Sequence, residues 1–117
     1  MKDKLVFVIQ NNYCLKAFLM PHINYLVSYY DITVIVNDSA DDAKTFLPLN
    51  VSCISLKIER GISLFSDIAA LFRLVKILSR ERYDVIHSVT PKCGLLGMLA
   101  GKISGTQVRI HTFTGQV

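Results

Sequence analysis

Three short segments of this 117-residue sequence carry polar side chains of the kinds that bind ligands. They lie at residues 10–13, 87–92 and 111–115, and each stands at the carboxyl end of a predicted strand. In an open parallel sheet, ligands bind in the crevice beyond the carboxyl ends of the strands. We therefore expect the three segments to lie at one edge of a sheet.

The segment from Thr90 to Gly94 is the most informative of the three. Thr90 is predicted to cap a helix and Pro91 to take its first position, so free backbone N–H groups would point into the crevice. Lys92 adds a positive charge at a helix end where the dipole disfavours one, which makes more sense if an anion lies beside it. A lysine that simply extends into solvent is an equally acceptable interpretation.

The other two segments also allow two interpretations each. Asn11 and Asn12 could donate hydrogen bonds to a sugar, or they could satisfy the backbone of a turn. Their loop lacks the G-x-G-x-x-G pattern, so no dinucleotide site is expected there. His111 lies near the ligand end of its strand and is as easily a binding residue as a core histidine.

No complete catalytic set can be identified in the sequence. The three histidines and three cysteines lack metal-ligand spacing, and there is no nucleophile elbow, HExxH motif or P-loop. Asp84 begins a strand and would lie at the opposite edge of the sheet. We therefore expect no metal and no cofactor.

Alternating strands and helices are predicted to position these segments. The predicted elements are a strand at 4–9, a helix from about Met20, a strand at 31–36, a loop or short helix at 39–50, an edge strand at 51–58, a helix from Ser63 to Arg80, a strand at 83–89, a helix from Thr90 to about Ser104 and a strand at 107–113. This order predicts an α/β fold with a mainly parallel sheet and helices on both faces.

The two long helices carry different patterns. In the first, one apolar stripe is predicted to face the core, and Arg73, Lys76 and Arg80 gather on the opposite side. That stripe comprises Leu64, Ile68, Leu71, Val75 and Leu78. In the second, glycines at 94, 97 and 101 predict close packing, because each interior glycine costs about 1 kcal/mol of helix propensity relative to alanine. Gly105 is predicted to end that helix.

Composition and charge limit the possible classes. An apolar content of 51% supports a single folded domain, and three cysteines are too few for a disulfide scaffold, which indicates a reducing compartment. We expect no signal peptide and no membrane span, and a chain that ends on an uncovered strand suggests a fragment of a longer protein.

The positive charge lies in the second half of the chain. Residues 57–117 hold nine Lys/Arg against four Asp/Glu, whereas residues 1–56 hold four against five. The simplest interpretation is a solvated basic surface, and the alternatives are an anionic lipid surface or a phosphate-bearing ligand. Nucleic acid is not expected, because the basic residues are dispersed and not interleaved with aromatics.

Three stretches of the sequence resemble the N-terminal half of family-4 glycosyltransferases, especially bacterial enzymes that build O-antigen, capsule and other surface polysaccharides. They lie at residues 18–23, 83–97 and 108–115. In that family the second stretch commonly reads D-[IV]-[IV]-H-x-H-[TS]-P-K-[AG]-G-L-L-G, and residues 84–97 here read DVIHSVTPKCGLLG.

The resemblance implies a two-domain GT-B architecture whose domains are Rossmann-like and whose active site lies in the cleft between them. Residues 1–117 would form an incomplete N-terminal, acceptor-side domain, and the donor-binding C-terminal domain would be absent. The implied reaction is a retaining, metal-independent transfer from a nucleotide sugar, in which basic side chains and helix N-termini stabilise the leaving diphosphate. The fragment alone is then expected to be inactive.

The resemblance also implies a substrate-binding set. Thr90, Lys92 and Gly94 would face the cleft beside the acceptor or the diphosphate, and the loop at Asn11 and Asn12 would line the same cleft. Thr112, Thr114 and Gly115 complete the set at the end of the last strand. His111, at the ligand end of the same strand, is a further candidate. The family usually has histidine where this chain has Thr114, often has one where it has Val89, and often has a glycine-rich first loop, so contacts to the donor would differ here.

The same resemblance gives the basic half of the chain a candidate partner. Such enzymes often use lipid-linked acceptors at the cytoplasmic membrane face, so a peripheral contact with anionic lipid is implied for Arg73, Lys76, Arg80 and Arg82. The expected location is cytoplasmic, including the inner face of the plasma membrane. Two other functions stay open: a non-catalytic anion- or nucleotide-binding module, and a membrane-recruiting subunit of a split glycosyltransferase.

Overall fold

The computed structural model describes residues 3–48, 50–56, 64–89, 91–106 and 108–112. Within these ranges the strands are β1 (Asp3–Ile9), β2 (Tyr30–Val36), β3 (Ser52–Ser55), β4 (Val85–Val89) and β5 (Val108–Thr112). The helices are α1 (Asn12–Cys14), a π-helix (Leu15–Leu19), α2 (Met20–Leu26), α3 (Ala40–Lys44), α4 (Leu64–Glu81) and α5 (Pro91–Ser104). The predicted alternation of strands and helices is confirmed.

The strands form one sheet in the order β3-β2-β1-β4-β5, and every described pair is parallel. The chain moves outward from β1 to β3 and then returns across the sheet to β4 and β5. The direction of winding therefore reverses between β1 and β4, as in doubly wound α/β folds. The edge position predicted for β3 is confirmed, and residues 57–58 of that predicted strand lie outside the described residues.

Each face of the sheet has its own apolar core, because β1 is buried on both sides. Phe7 and Ile9 pack with Leu15, Leu19 and Ile23 of the π-helix and α2 on one face. The intervening residues of β1 pack with α4 and α5 on the other face. This three-layer αβα arrangement confirms the predicted Rossmann-like fold class.

Helical structure begins earlier than the residues around Pro21 predict. α2 starts at Met20 as predicted, with Pro21 in the first turn, where its missing N–H group is tolerated. The preceding residues are nevertheless helical as well, first as α1 and then as the π-helix. Because Pro21 cannot donate to a preceding carbonyl, the regular α-helical bonding pattern does not continue through it, and a wider π-turn leads into α2.

The buried side of α4 differs in part from the predicted stripe. Leu78 is buried as predicted, but Ile68 is 42% exposed, and the centre of the buried side belongs to Ala70 and Leu74. The prediction for Ile68 is wrong because α4 is apolar on more than one side, so its sequence allows more than one stripe. The partly buried residues packed at the rim of the core include Leu71, Val75 and Ile77.

The glycines of α5 permit close packing on β4, as predicted. A Cβ atom added at Gly97 would lie 3.0 Å from Cβ of Ser88, and one added at Gly101 would lie 3.1 Å from Cγ2 of Ile86. The helix ends at Ser104, and Gly105 has a φ of 81°, which glycine adopts without strain. The predicted caps Ser63 and Thr90 lie outside the described residues.

The end of α4 places an arginine in a conformation that favours glycine. Arg82 follows the last residue of the helix, its N–H donates to the carbonyl of Leu78 at 2.9 Å, and its φ is 53°. A non-glycine residue in this left-handed region costs roughly 1–2 kcal/mol, because its Cβ crowds the following carbonyl oxygen. Arg82 therefore stores strain at the turn from α4 into β4.

We expect Arg82→Gly to stabilise the protein by about 0.5–1 kcal/mol, since the relieved strain exceeds the larger unfolded-state entropy of glycine. The measurement is the midpoint of equilibrium urea unfolding. Arg82→Ala is the matched control, because it removes the same charge but keeps a Cβ at a φ of 53°. Equal midpoints for the two variants would show that any gain came from the charge.

Candidate functional site

The candidate site is the crevice where the sheet winds in opposite directions. Val8 of β1 pairs with Ser88 of β4, so the two strands reach their carboxyl ends, Ile9 and Val89, at the same level. The loop after β1 and the start of α5 therefore flank one crevice, as expected for a ligand site at a topological switch point. This brings the Asn11–Asn12 loop and the first turn of α5 to the same sheet edge.

Asn12 connects the loops that follow β1 and β2. Its backbone N–H donates to Oδ2 of Asp38 at 3.1 Å, and its side-chain Nδ2 donates to the carbonyl of Ser39 at 3.1 Å. Its Oδ1 is buried and has no hydrogen-bond partner within the described residues. The carbonyl of Asn11 accepts from the N–H of Leu15 at 3.0 Å. These contacts give the loop a structural role beside any ligand contact.

Asp38 organises this edge, and the sequence patterns did not single it out. Besides the bond from Asn12, its Oδ1 accepts from the N–H of Ser39 at 2.9 Å, and its carbonyl accepts from the hydroxyl of Ser55 at 2.6 Å. It thereby ties together the carboxyl ends of β1, β2 and β3. The available signal was an Asn-Asp-Ser run directly after a buried strand, since these side chains bond to nearby backbone.

The first turn of α5 lies at the crevice as predicted. Pro91 is the first helical residue, with Lys92 second and Gly94 fourth, and the turn contains no acidic residue. The N–H groups of a first helical turn have no acceptor within the helix, and together with the helix dipole they favour an anion at this end. Of Lys92 and Gly94 the structure describes the backbone, and Thr90 lies outside the described residues.

The last strand contributes its carboxyl end to the same edge. His111 pairs with Ser88 and Thr112 with Val89, so both backbones lie level with the end of β4. Thr114 and Gly115 lie outside the described residues. The described part of the predicted binding set therefore lies along one sheet edge. Its members follow the neighbouring strands β1, β4 and β5, with β4 in the middle.

The surroundings of His87 and Cys53 indicate a structural role for both side chains. The half-buried His87 ring lies 5.2 Å from the Phe7 ring, as measured between centroids, so it packs as part of the apolar layer. Burial raises the pKa of the Cys53 thiol above its ordinary value, and the charge of Lys44 only partly opposes this effect. A thiol with a raised pKa carries less thiolate at neutral pH, so Cys53 is not an activated nucleophile.

The basic residues proposed for membrane contact do not all lie together. Arg73, Lys76 and Arg80 line a cavity of about 300 Å³ beside β3. Arg82 instead lines a different cavity of about 400 Å³, near Asp84, at the amino ends of β4 and β5. The difference arises because α4 ends at Glu81 and the chain then turns away from the helix axis.

The outer side of α4 also carries exposed aromatic side chains. Phe65 is 86% exposed and Phe72 is 69% exposed. At seven residues apart they lie on one side of the helix, one turn before Lys76. Among the described helices, none combines the length and the apolarity that a bilayer crossing requires.

Comparison with known proteins identifies relatives of this chain. The sequence model of the family described as "Glycosyl transferase 4-like" matches residues 4–116. An Escherichia coli UDP-Gal:alpha-D-GlcNAc-diphosphoundecaprenol alpha-1,3-galactosyltransferase is 39% identical over 56 residues, which are 48% of this chain and 14% of that protein. The Staphylococcus aureus capsular polysaccharide biosynthesis glycosyltransferase CapM is 35% identical over 60 residues, which are 51% of this chain and 16% of that protein.

Solved structures support the fold. A UDP-N-acetylglucosamine 2-epimerase superposes with a TM-score of 0.69 at 21% identity, covering 96% of this chain and 32% of the epimerase. Acinetobacter baumannii MurG superposes with a TM-score of 0.67 at 15% identity, covering 92% of this chain and 33% of MurG. The chain thus matches about a third of these structures and about a seventh of the sequence relatives. Because the family model spans nearly every residue, the chain belongs to the glycosyl transferase 4-like family.

Proposed function

We propose that the protein containing this chain transfers a sugar from a nucleotide sugar to a lipid-linked or polysaccharide acceptor. The observation that carries this proposal is the family match over residues 4–116, together with an anion-ready helix start at the crevice. Both sequence relatives are named as glycosyltransferases, one for a diphosphoundecaprenol-linked substrate and one for capsule. A retaining, metal-independent reaction is part of the proposal.

In this proposal residues 1–117 supply the N-terminal, acceptor-side half of a two-domain GT-B enzyme. The short matched share of the relatives supports a longer protein that would contribute the donor-binding domain. The substrate contacts would come from the carboxyl edge of the sheet, where the described part of the candidate set converges. Those contacts are assigned to Asn11, Asn12, Thr90, Lys92, Gly94, His111, Thr112, Thr114 and Gly115.

The chemistry required of this edge is charge stabilisation. As the bond to the sugar breaks, negative charge develops on the leaving diphosphate, and preorganised N–H groups and cations stabilise such charge best where water is excluded. The first turn of α5 offers the N–H groups, and Lys92 adds the cation. Asn12 holds the neighbouring loop in place through Asp38 and Ser39, so that the crevice is formed before a ligand arrives.

The direct test is a transfer assay with the full-length protein. Purified protein is incubated with membrane lipid extract and a panel of radiolabelled nucleotide sugars, and label entering the lipid phase is counted. We expect transfer from one donor of the panel by the full-length protein and none by residues 1–117 alone. Sugar transfer by the isolated 117-residue chain would contradict an active site divided between two domains.

We further propose that the protein works at the cytoplasmic face of the plasma membrane and contacts anionic lipid through the outer side of α4. Exposed aromatics beside cations are the composition of helices that lie in a membrane interface. Phe65 and Phe72 would enter the headgroup region, and Arg73, Lys76 and Arg80 would meet the lipid charge. Arg82 lines a different cavity and has no part in this contact.

We expect the double substitution Phe65→Ser and Phe72→Ser to weaken binding to anionic vesicles at least tenfold. Burying a phenylalanine side chain contributes roughly 1.5–3 kcal/mol when complete, so even partial insertion of two rings exceeds the ~1.4 kcal/mol that corresponds to tenfold. Binding is measured by vesicle sedimentation. Tyr25→Ser with Tyr29→Ser is the matched control, because these exposed rings belong to the opposite layer of the fold. Equal losses in the two pairs would contradict an α4-specific contact.

A further inference from the structure

The cavity beside β3 is lined by three cations on one side and by apolar residues below. α4 contributes Arg73, Lys76, Ile77 and Arg80, whose spacing of i, i+3, i+4 and i+7 places them along one side of the helix. The apolar lining includes the buried Leu56. The remaining lining residue, Ser55, already donates its hydroxyl to the carbonyl of Asp38. Among the residues that the structure describes, those lining this cavity include no acidic side chain.

The charge of this cavity is not balanced within the described part of the chain. Glu81 is the acidic residue nearest in sequence to Arg80, but it forms its ion pair outside the cavity, with Lys4 at 3.3 Å. Arg73 and Lys76 are i, i+3 neighbours and Lys76 and Arg80 are i, i+4 neighbours, so they repel each other by about 0.2–0.5 kcal/mol per pair. An anion held between them would turn this repulsion into attraction.

The helix dipole does not account for the whole cluster. A cation in the last turn of a helix is stabilised by the partial negative charge of the free carbonyls, which explains Arg80. This effect falls off within one turn, and Arg73 lies eight residues before the end of α4 at Glu81. Apolar walls beneath the cations strengthen their field by keeping water and its screening away.

We propose that this cavity binds a phosphoryl group. Two arginines offer planar N–H pairs that match the oxygens of a phosphate, and Lys76 supplies a third, mobile charge. A volume of about 300 Å³ is at the lower limit of ordinary ligand pockets, so the cavity holds a phosphoryl head with a short substituent. It is separate from the crevice at the start of α5, which lies between β1 and β4 in the sheet.

The phosphoryl group can come from a lipid headgroup or from a soluble phosphate ester. Only the lipid source rests on the membrane contact proposed above, and neither source requires sugar transfer. A protein that binds phosphate here but transfers no sugar would retain this inference and lose the proposed function, and the converse result would do the opposite.

The soluble arm measures inorganic phosphate and pyrophosphate binding to the full-length protein by isothermal titration calorimetry at constant ionic strength. The test variant carries Arg73→Gln, Lys76→Gln and Arg80→Gln. The control variant carries Lys16→Gln, Lys44→Gln and Lys102→Gln, which remove the same charge from exposed positions outside the cavity. Because a transfer cleft would also bind diphosphate, the result is the difference between the two variants.

The lipid arm measures sedimentation with phosphatidylcholine vesicles in which about one lipid in five is phosphatidic acid, against phosphatidylcholine alone. A third variant, Ile77→Phe, keeps every charge but enlarges the apolar lining of the cavity. It separates binding inside the cavity from attraction to a diffuse basic surface. If Ile77→Phe lowers the melting temperature, the two glutamine variants still decide, since they alter exposed side chains.

We expect the test variant to bind at least tenfold more weakly than the wild type and the control variant to remain within about twofold, with about 1.4 kcal/mol corresponding to tenfold. A loss seen with free phosphate assigns a soluble ester, and a loss seen with vesicles alone assigns a lipid headgroup. The proposal is overturned if neither ligand distinguishes the test variant from the control, or if a stably folded Ile77→Phe binds as tightly as the wild type.

Discussion

Replacing Gly97 by leucine is expected to destabilise the protein by about 3 kcal/mol, at the upper end of ordinary overpacking. A Cβ atom at this position already lies 3.0 Å from Cβ of Ser88, before the rest of the side chain is added. Ser88 is fully buried in β4, which is hydrogen-bonded to β1 and β5 on either side. Its Cβ is fixed to that backbone and cannot rotate away, so α5 itself must move.

Gly101 provides the matched control for this position. It lies one turn further along the same helix, and both positions gain about 1 kcal/mol of helix propensity from alanine. A Cβ at Gly101 would meet Cδ of Arg109 at 3.1 Å and Cγ2 of Ile86 at 3.1 Å. The arginine stem is flexible and can yield, although the isoleucine methyl cannot. We therefore expect Gly97→Ala to be less stable than Gly101→Ala, with Gly97→Leu lowest of all.

The measurement is urea unfolding of the three variants beside the wild type. If Gly97→Leu matched Gly101→Ala in its unfolding midpoint, α5 would not lie as close to β4 as the structure places it. The result bears on function, because the packing of α5 on β4 determines where the first turn of the helix stands relative to the crevice.

The central strands could be predicted because their signal is local. β1 contains a continuous apolar run from Leu5 to Ile9, and β2 contains a run from Ile32 to Val36 that only Thr33 interrupts. Such short, β-branched runs indicate strands buried on both faces. The start of α5 was equally readable, because Pro91 has one favoured place in a helix. Together with the alternation of elements, these signals are sufficient for a parallel sheet and for the edge at which we propose that ligands bind.

The orientation of α4 and the partners of Asn12 could not be predicted, because both depend on neighbours distant in sequence. Ile68 and Leu74 are equally apolar, and only packing against the sheet and α5 separates the exposed one from the buried one. The contact between Asn12 and Asp38 spans 26 residues and exists because β1 and β2 end side by side. Spacing predicted that Arg80 joins Lys76, but the backbone turn at Arg82 has no counterpart in a helical pattern.

Replacing Lys92 by alanine is expected to lower the rate of sugar transfer by the full-length protein at least tenfold, which corresponds to about 1.4 kcal/mol in the activation barrier. The physical reason is the position of Lys92 in the first turn of α5, at the edge where a leaving diphosphate would lie. The measurement is the initial rate at saturating and at limiting nucleotide sugar, with the melting temperature of each variant.

Stability should move in the opposite direction from activity. Without a bound anion, a cation in the first turn of a helix opposes the dipole by about 0.3–1 kcal/mol, so Lys92→Ala should keep or slightly raise the melting temperature. Lys102→Ala is the matched control, because Lys102 is exposed in the last turn of the same helix, where the dipole favours a cation. That variant should lose a little stability and keep its transfer rate.

The pair of lysines therefore separates a ligand contact from a surface charge. Replacing a residue that only extends into solvent would leave the transfer rate unchanged at both saturating and limiting nucleotide sugar. Replacing a residue that supports the fold would lower stability and activity together. Activity lost at unchanged or raised stability, in Lys92→Ala but not in Lys102→Ala, is the pattern of a charge that opposes the helix dipole and serves a bound anion. Partial recovery in Lys92→Arg would add that the charge itself is what matters, and unchanged kinetics in a stable Lys92→Ala would place Lys92 outside the site.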